Sequence, residues 1–297
     1  MRYFILLLLL LINNSFIKAD NLLQNQIQQV LQHMNAQVGV AIIIDGKDTL
    51  TFNNDKCYPL MSVMKYHQAL AVVHYLEQHR LPLSTAVWIE KKDLLPGTYS
   101  PLRDNYPEGN IFLSIGELLR YTLQQSDNNA CDILFRYVDG TDVIDKYIRS
   151  LGVEAFSISA TEDEMHRYPV KCFANWSTPL AVVCLMDKLV DGTLPIDTVY
   201  TNFICKTLLE CQTGKERLSF PLQGSQARIG HKTGTSDQDE QGKWIAINDV
   251  GFIQLPDGRR YTIAVLIKHS KMSFQETEKI IADISEVVYK RLYKTSE

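Results

Sequence analysis

Hydrophobic and polar positions follow a helical rhythm at the start of the chain. Asn21 to Met34 puts Leu22, Leu23, Ile27, Val30 and Leu31 on one side of a 3.6-residue period, which predicts an amphipathic helix. Val38 to Ile44 is an unbroken apolar run of strand length. Asp45-Gly46 marks a hairpin turn, with Thr49 to Phe52 as the returning strand. Pro59 precedes a second helical stretch, Tyr66 to His79, striped by Leu70, Val73 and Leu76. Leu81 to Tyr106 is expected to be irregular, because Pro82, Pro96, Gly97 and Pro101 interrupt it. Ser114 and Glu117 form a capping-box pair that opens a helix over Ile115 to Gln125. Further helices are expected at Ala130 to Val138 and Thr141 to Leu151. Phe156 to Ala174 shows no period and reads as a long loop, and long loops in compact domains are often functional. Thr178-Pro179 opens the helix Leu180 to Val190, and Pro195 to Cys211 is helical again.

The rhythm then shortens to that of strands. Ala227 to Thr235, Trp244 to Leu255 and Tyr261 to Ile267 are predicted strands, the last two joined at Pro256-Asp257-Gly258. Ser273 and Glu276 form a second capping box, opening a final helix to about Tyr293. The two ends can make one antiparallel sheet flanked by the N- and C-terminal helices. Residues 20–60 and 212–297 would then be an α/β domain, with 61–211 an inserted all-α domain and a cleft between them.

Composition narrows the class. The 297 residues are 45% hydrophobic and 22% charged, ordinary for a globular protein with a substantial core. A net charge of −4 and a pI near 6.0 argue against a nucleic-acid surface. Met1-Arg2-Tyr3 is a short basic start, Phe4 to Ile12 is apolar, and Asn13 to Ala19 closes more polar. That is a signal-peptide pattern with cleavage expected after Ala19, so a periplasmic or secreted protein is predicted. Losing Arg2 and Lys18 would take the net charge from −4 to −6. The apolar run is too short to span a bilayer, and no cysteine near Ala19 offers a lipid anchor, so no stable membrane anchor is expected. The cysteines at 57, 131, 172, 184, 205 and 211 match no zinc or redox spacing. No disulfide is assigned, no metal or cofactor is expected, and Cys184 and Cys205 read as buried free thiols.

The chemistry begins at Ser62-Val63-Met64-Lys65. Serine and lysine three residues apart share a helix face. A serine hydroxyl needs a base beside it, and a lysine can be that base where burial or nearby cations favour its neutral form. The spacing alone is weak: Ser15 to Lys18 repeats it without meaning. Three further motifs follow in order. Ser126-Asp127-Asn128 lies 64 residues on, Glu162 another 36, and Lys232-Thr233-Gly234 another 70.

Together these motifs resemble a class A serine β-lactamase over the whole mature chain. The branch it is similar to is the extended-spectrum one, with PER-like and CfxA-like enzymes. The residues behind this are Ser126 to Asp132, Glu162-x-x-Met165-His166, Thr213-Gly214-x-Glu216-Arg217-Leu218 and His231 to Ser236. The resemblance implies the serine β-lactamase/D,D-peptidase-like fold and hydrolysis of the β-lactam amide through an acyl-enzyme on Ser62. It implies that Lys65 takes or relays the proton, and that Ser126 passes one to the departing nitrogen. Asn128 would bind the antibiotic's side-chain amide, while Lys232, Thr233 and Thr235 hold its carboxylate beside Gly234. The backbone N–H groups of Ser62 and Thr235 would form the oxyanion hole. Glu162 would hold the hydrolytic water, and Tyr99 would stand at the cleft rim.

The family pattern is bent in places. Ala160 stands where the loop arginine is usual, His166 replaces an asparagine that helps place the water, and Asp132 replaces another asparagine. A loop folded differently from the common class A form is therefore expected. Asp163 and Glu164 flank Glu162, and only the family register selects among the three acids. The common arginine after Lys-Thr-Gly is missing, with Asn248 in its place, and Arg217 is a candidate substitute against the alternative of a surface arginine. His231 reads as a strand-end packing residue. Asn175-Trp176-Ser177 fits a glycosylation sequon but carries no weight here. The expected partner is a small β-lactam, and a monomer is expected. The alternative is a penicillin-binding D,D-peptidase or a β-lactam-sensing domain, which acylates without turnover. Glu162 and the compact length favour the lactamase.

Overall fold

The computed structural model describes residues 22–293. The expected signal peptide, 1–19, lies outside them, as does Asn21 at the start of the first expected helix. The chain opens with α1 (22–31), then the hairpin β1 (Gln37–Ile44) and β2 (Asp48–Phe52), and the short β3 (Tyr58–Pro59). A 3₁₀ turn at Met61–Val63 leads into α2 (Met64–Gln78). Next come β4 (Ala86–Ile89), α3 (Pro101–Asn105), β5 (Ile111–Ser114), α4 (Ile115–Gln124), α5 (Asn128–Tyr137) and α6 (Thr141–Ser150). The expected long loop holds β6 (Phe156–Ser157), α7 (Glu162–Arg167) and a 3₁₀ turn, and closes on β7 (Trp176–Ser177). Then follow α8 (Pro179–Val190), α9 (Thr198–Leu209), β8 (Arg228–Thr235), β9 (Trp244–Gln254), β10 (Arg260–Ser270) and α10 (Phe274–Leu292).

The main sheet is antiparallel, in the order β2-β1-β10-β9-β8. Strand alternation decides its two faces. Val40, Ile42, Ile263 and Val265 face Leu23 and Ile27 of α1 and Ile280, Ile281 and Ile284 of α10. Their neighbours Ala41, Ile43, Ala264 and Leu266 face the helical block, in one core with Leu70, Val73, Leu118 and Val182. α8 lies directly on this second face. α2 runs through the middle of the block and buries every residue from Met64 to Val73, the signature of a helix surrounded by others.

Two expectations are corrected. Leu81 to Tyr106 is not simply irregular: β4 in it pairs with β5 in an antiparallel ribbon, Ala86 opposite Ser114 through Ile89 opposite Ile111. Phe156 to Ala174 is not a bare loop, because Thr161 and Glu164 form a capping box that starts α7. β6 and β7 pin the loop's two ends together, and β7 also pairs with β3, just upstream of Ser62. The loop is thereby fastened beside the serine.

One buried group gives the fold a pH dependence. His67 is completely buried, stacked on Phe156 at 5.7 Å between ring centres. The Val63 carbonyl approaches its ring, but neither nitrogen has a hydrogen-bond partner of good geometry. Burial therefore lowers its pKa from 6.5 to about 4. The unfolded chain takes up this proton near 6.5, the folded chain only near 4. The His67 contribution to stability is complete above 6.5 and is lost as pH drops from there towards 4, by on the order of 3 kcal/mol across the window. Between pH 7 and pH 5, His67→Leu should lose less Tm on acidification than wild type, whatever its own Tm at pH 7. An equal loss in both chains would remove His67 as the cause.

Candidate active site

Ser62 sits in the 3₁₀ turn ahead of α2, not in the helix proper, and the preceding Met61 has φ +49°. Positive φ in a non-glycine residue is strained by about 1–3 kcal/mol and is typical of sites where a neighbour must be aimed. Lys65, one turn on, is wholly buried. Its Nζ donates to Ser62 Oγ at 2.9 Å, Ser126 O at 2.8 Å and Asn128 Oδ1 at 2.6 Å, and lies 2.9 Å from Glu162 Oε1. Four oxygens thus crowd one lysine nitrogen, more than it can serve with hydrogen bonds at once. Ser62 Oγ in turn donates to Glu162 Oε1 at 3.4 Å.

The three adjacent acids are sorted by geometry. Glu162 is buried and points at Ser62 and Lys65. Asp163 turns away to pair with Arg167, and Glu164 caps its own helix and faces Lys171. Asp132 holds α7 by accepting from the backbone N–H groups of Glu162 at 2.9 Å and Asp163 at 2.8 Å. Burial, and then the Glu162 charge, raises the Asp132 carboxyl to about 7. In place of an arginine, Asn175 ties down the loop start: its Oδ1 accepts from Ser159 N and Ala160 N at 2.8 and 2.9 Å. Asn175 is completely buried, which closes the sequon to any sugar. His166 is exposed and stands across from Gly97 on the cleft wall. Among the described residues it makes no hydrogen bond to Glu162, so its expected part in placing the water has no direct contact behind it.

On the opposite side, Lys232 is wholly buried and donates to Ser126 Oγ at 2.9 Å and to Thr233 O at 2.9 Å. Burial first, and then the charge of Lys65, lowers its pKa to about 7. Ser126 itself has φ +62°, which turns its carbonyl to Lys65 and its hydroxyl to Lys232. Asp127 fixes this bend by accepting from Ala130 N, Leu102 N and Ser100 Oγ, which draws the Tyr99 loop over the site. Tyr99 is 59% exposed and lines both hollows beside Ser62. Asn128 donates from Nδ2 to Thr98 Oγ1 at 2.8 Å. Gly234 is required by packing: a Cβ there would lie 2.4 Å from Leu60 O, so the strand could not lie so close to the serine turn.

Arg217 is not a surface arginine. It is 2% exposed, pairs with Glu278 at 3.0 Å, and donates to Gly234 O, Asn248 O and Thr235 Oγ1. His231 is likewise more than packing, since its Nδ1 lies 2.9 Å from buried Asp249 Oδ1. Ser62 therefore lies where two hollows meet. One, of about 400 Å³, includes Asn128, Glu162, His166, Cys172 and Asp237; the other, of about 240 Å³, includes Ser126, Thr213, Arg217, Thr233 and Thr235. Sequence reasoning missed Thr98, Asn175, Thr213 and Asp249. Only the Thr213 motif had a signal, within the branch resemblance.

Comparisons with known proteins agree with this geometry. The model of the "Beta-lactamase enzyme family" matches residues 22–292. A β-lactamase of Bacteroides uniformis is 38% identical over 267 residues, covering 90% of each chain. The extended-spectrum β-lactamase PER-1 of Pseudomonas aeruginosa is 34% identical, over 90% of this chain and 86% of that one. A crystal structure of a class A β-lactamase from Bacteroides cellulosilyticus superposes with a TM-score of 0.87 at 39% identity, over 91% of this chain and 96% of that one. By fold, by sequence and by the family model, this chain belongs to the class A serine β-lactamases, in the branch that includes extended-spectrum enzymes.

Proposed function

We propose that Ser62 attacks the β-lactam carbonyl and carries the acyl group, and that Glu162 directs the water that removes it. The observation that carries this reading is the convergence of Lys65 and Glu162 on one side of Ser62 with Lys232 and Ser126 on the other. The Ser62 proton leaves through the first pair, at 2.9 and 3.4 Å from Oγ. Ser126, held by Lys232, delivers a proton to the lactam nitrogen as the ring opens. The N–H groups of Ser62 and Thr235 receive the oxyanion, and such donors are each worth roughly a hundredfold to a thousandfold. Lys232, Thr233 and Thr235 take the substrate carboxylate, with Arg217 orienting Thr235 from behind. Asn128, Tyr99 and the His166 wall face the rest of the drug.

Intact-mass measurement after brief exposure to a penicillin, then peptide mapping, should place one adduct on Ser62. An adduct on Ser126 or a cysteine would reassign the nucleophile. The pattern at 1–19 supports export to the periplasm or medium. Among the described residues no helix is long and apolar enough to cross a membrane. The cleft is complete within one chain, which supports action as a monomer.

A further inference from the structure

Behind the carboxylate end of the cleft lies a buried charged pair that the hydrolytic cycle leaves unused. It joins His231 on β8 to Asp249 on β9, on the sheet face that carries α10, since alternation puts Asp249 with Ile247 and Ile253. His231 Nδ1 is 2.9 and 3.0 Å from the two oxygens of Asp249, which is completely buried. Directly opposite His231 in the ladder is Gly251, where a Cβ would lie 2.7 Å from His231 Cβ. The missing side chain gives the ring room to lean diagonally to Asp249. Burial works against a proton on the ring, but the Asp249 carboxylate outweighs it and raises the His231 pKa well above 6.5.

Asp249 also reaches a third piece of chain. Its Oδ2 accepts from Leu218 N at 3.2 Å, and Leu218 O accepts from Ser285 Oγ of α10 at 2.8 Å. Leu218 is completely buried, so both of its backbone groups depend on these holds. It closes the stretch 213–218, which carries Thr213, Gly214 and Arg217 into the smaller hollow and forms no strand of the sheet. The other wall of that hollow is β8, with Thr233 and Thr235. We propose that Asp249 is a positioning residue for the substrate carboxylate: by joining His231 on β8 to Leu218, it fixes the two walls of the smaller hollow at one spacing.

The walls are closely set. Thr213 Oγ1 lies 2.6 Å from Thr233 Oγ1, and a Cβ on Gly214 would collide with the Thr233 methyl group. Arg217 bridges the same gap, from Nη1 to Gly234 O and from Nη2 to Thr235 Oγ1. Arg217 N is tied back to Gly214 O at 3.0 Å, so a shift at Leu218 is passed on to Gly214 and Thr213. A buried ion pair contributes little net stability over apolar side chains of the same size. What this one contributes is a fixed arrangement, because one carboxylate meets the ring on β8 and the Leu218 N–H together.

Asp249 lines neither hollow, so it acts on the substrate only through what it holds. The role rests on the proposed function, because it concerns the carboxylate that Lys232, Thr233 and Thr235 take. Lys65 and Glu162 lie on the other side of Ser62 and make no contact with this pair. Loss of Asp249 should therefore weaken binding of the charged group and spare the acylation chemistry. Its kinetic sign is a rise in KM with kcat held.

The test compares a penicillin with its methyl ester on the whole mature chain. Asp249→Ala removes both hydrogen bonds. It should lower kcat/KM for the free acid by about tenfold, chiefly through KM, and for the ester by no more than about twofold. Asp249→Asn keeps an oxygen for the Leu218 N–H and offers its amide to the neutral ring, so it should recover most of the loss. Ser285→Ala removes the other hold on Leu218 without touching β8, and should give a smaller loss that again falls on the acid more than on the ester. Should Asp249→Ala not fold, Ser285→Ala decides alone. An equal loss on acid and ester, or a loss confined to kcat, would overturn the role. So would an Asp249→Asn chain as impaired as Asp249→Ala. If wild type hydrolyses neither compound, the proposed function falls and this role with it. If wild type hydrolyses the acid and the variants show no split, the role falls alone.

Discussion

Glu162→Gln should react once with a penicillin and then nearly stop. The acyl ester on Ser62 is stable until a water is held against it and deprotonated. Glu162 is the one acid of its run that reaches the site, 3.4 Å from Ser62 Oγ and 2.9 Å from Lys65 Nζ. General-base help of this kind is worth roughly a hundredfold to ten-thousandfold, and glutamine keeps the shape while removing the base. The expected record is a stoichiometric burst followed by near-arrest, with the acyl adduct persisting on Ser62 by mass spectrometry. Wild type should turn over continuously and show no lasting adduct. Glu164→Gln is the control, because its carboxylate serves the α7 capping box, and it should deacylate at close to the wild-type rate. Arrest in Glu164→Gln with normal turnover in Glu162→Gln would place the base two residues further on. Arrest in wild type would leave the acylating alternative.

That choice among three acids shows what the sequence could and could not say. Neighbouring residues on a helix point about 100° apart, so which of Glu162, Asp163 and Glu164 faces Ser62 depends on how α7 is docked. Asp132, 30 residues away, does the docking through two backbone N–H groups, and the chain's local pattern carries no trace of it. The sheet was legible because alternation sorts Val40 and Ile42 from Ala41 and Ile43, whatever the partner. The capped helices were legible because Ser114–Glu117 and Ser273–Glu276 sit in front of clear apolar periods. The same box at Thr161–Glu164 went unread, since α7 is too short to show a period. The β4–β5 ribbon was hidden by the prolines and glycine around it. The Asn175 bonds to the loop start and the His231–Asp249 pair are long-range polar pairings, and composition and spacing are blind to those. Arg217 fell between the two cases: the motif around it was visible, but its burial against Glu278 was not.

Lys232→Ala should lower kcat/KM by about tenfold to a hundredfold for β-lactams that carry the free carboxylate. A charge-assisted hydrogen bond is worth about 1.5–3 kcal/mol, and each 1.4 kcal/mol is tenfold. The variant also leaves Ser126 Oγ without the donor that now lies 2.9 Å away, so part of the loss should fall on kcat. The pH profile separates recognition from simple disruption. Burial and the Lys65 charge lower Lys232 to about 7 in the free enzyme. Below that value it is charged and attracts the carboxylate; as pH rises through it, the charge is lost. kcat/KM reports the free enzyme, so it should decline on the alkaline side with a midpoint near 7. Arginine stays charged over this range, and Lys232→Arg should push the decline to higher pH even if its overall rate is poor. A methyl ester of the same substrate, hydrolysed by wild type, should show a weaker alkaline decline, because no carboxylate remains to be recognised. If the free acid and the ester share one alkaline limb, and Lys232→Ala hydrolyses both at the wild-type rate, the carboxylate is held by Thr233, Thr235 and Arg217 without Lys232.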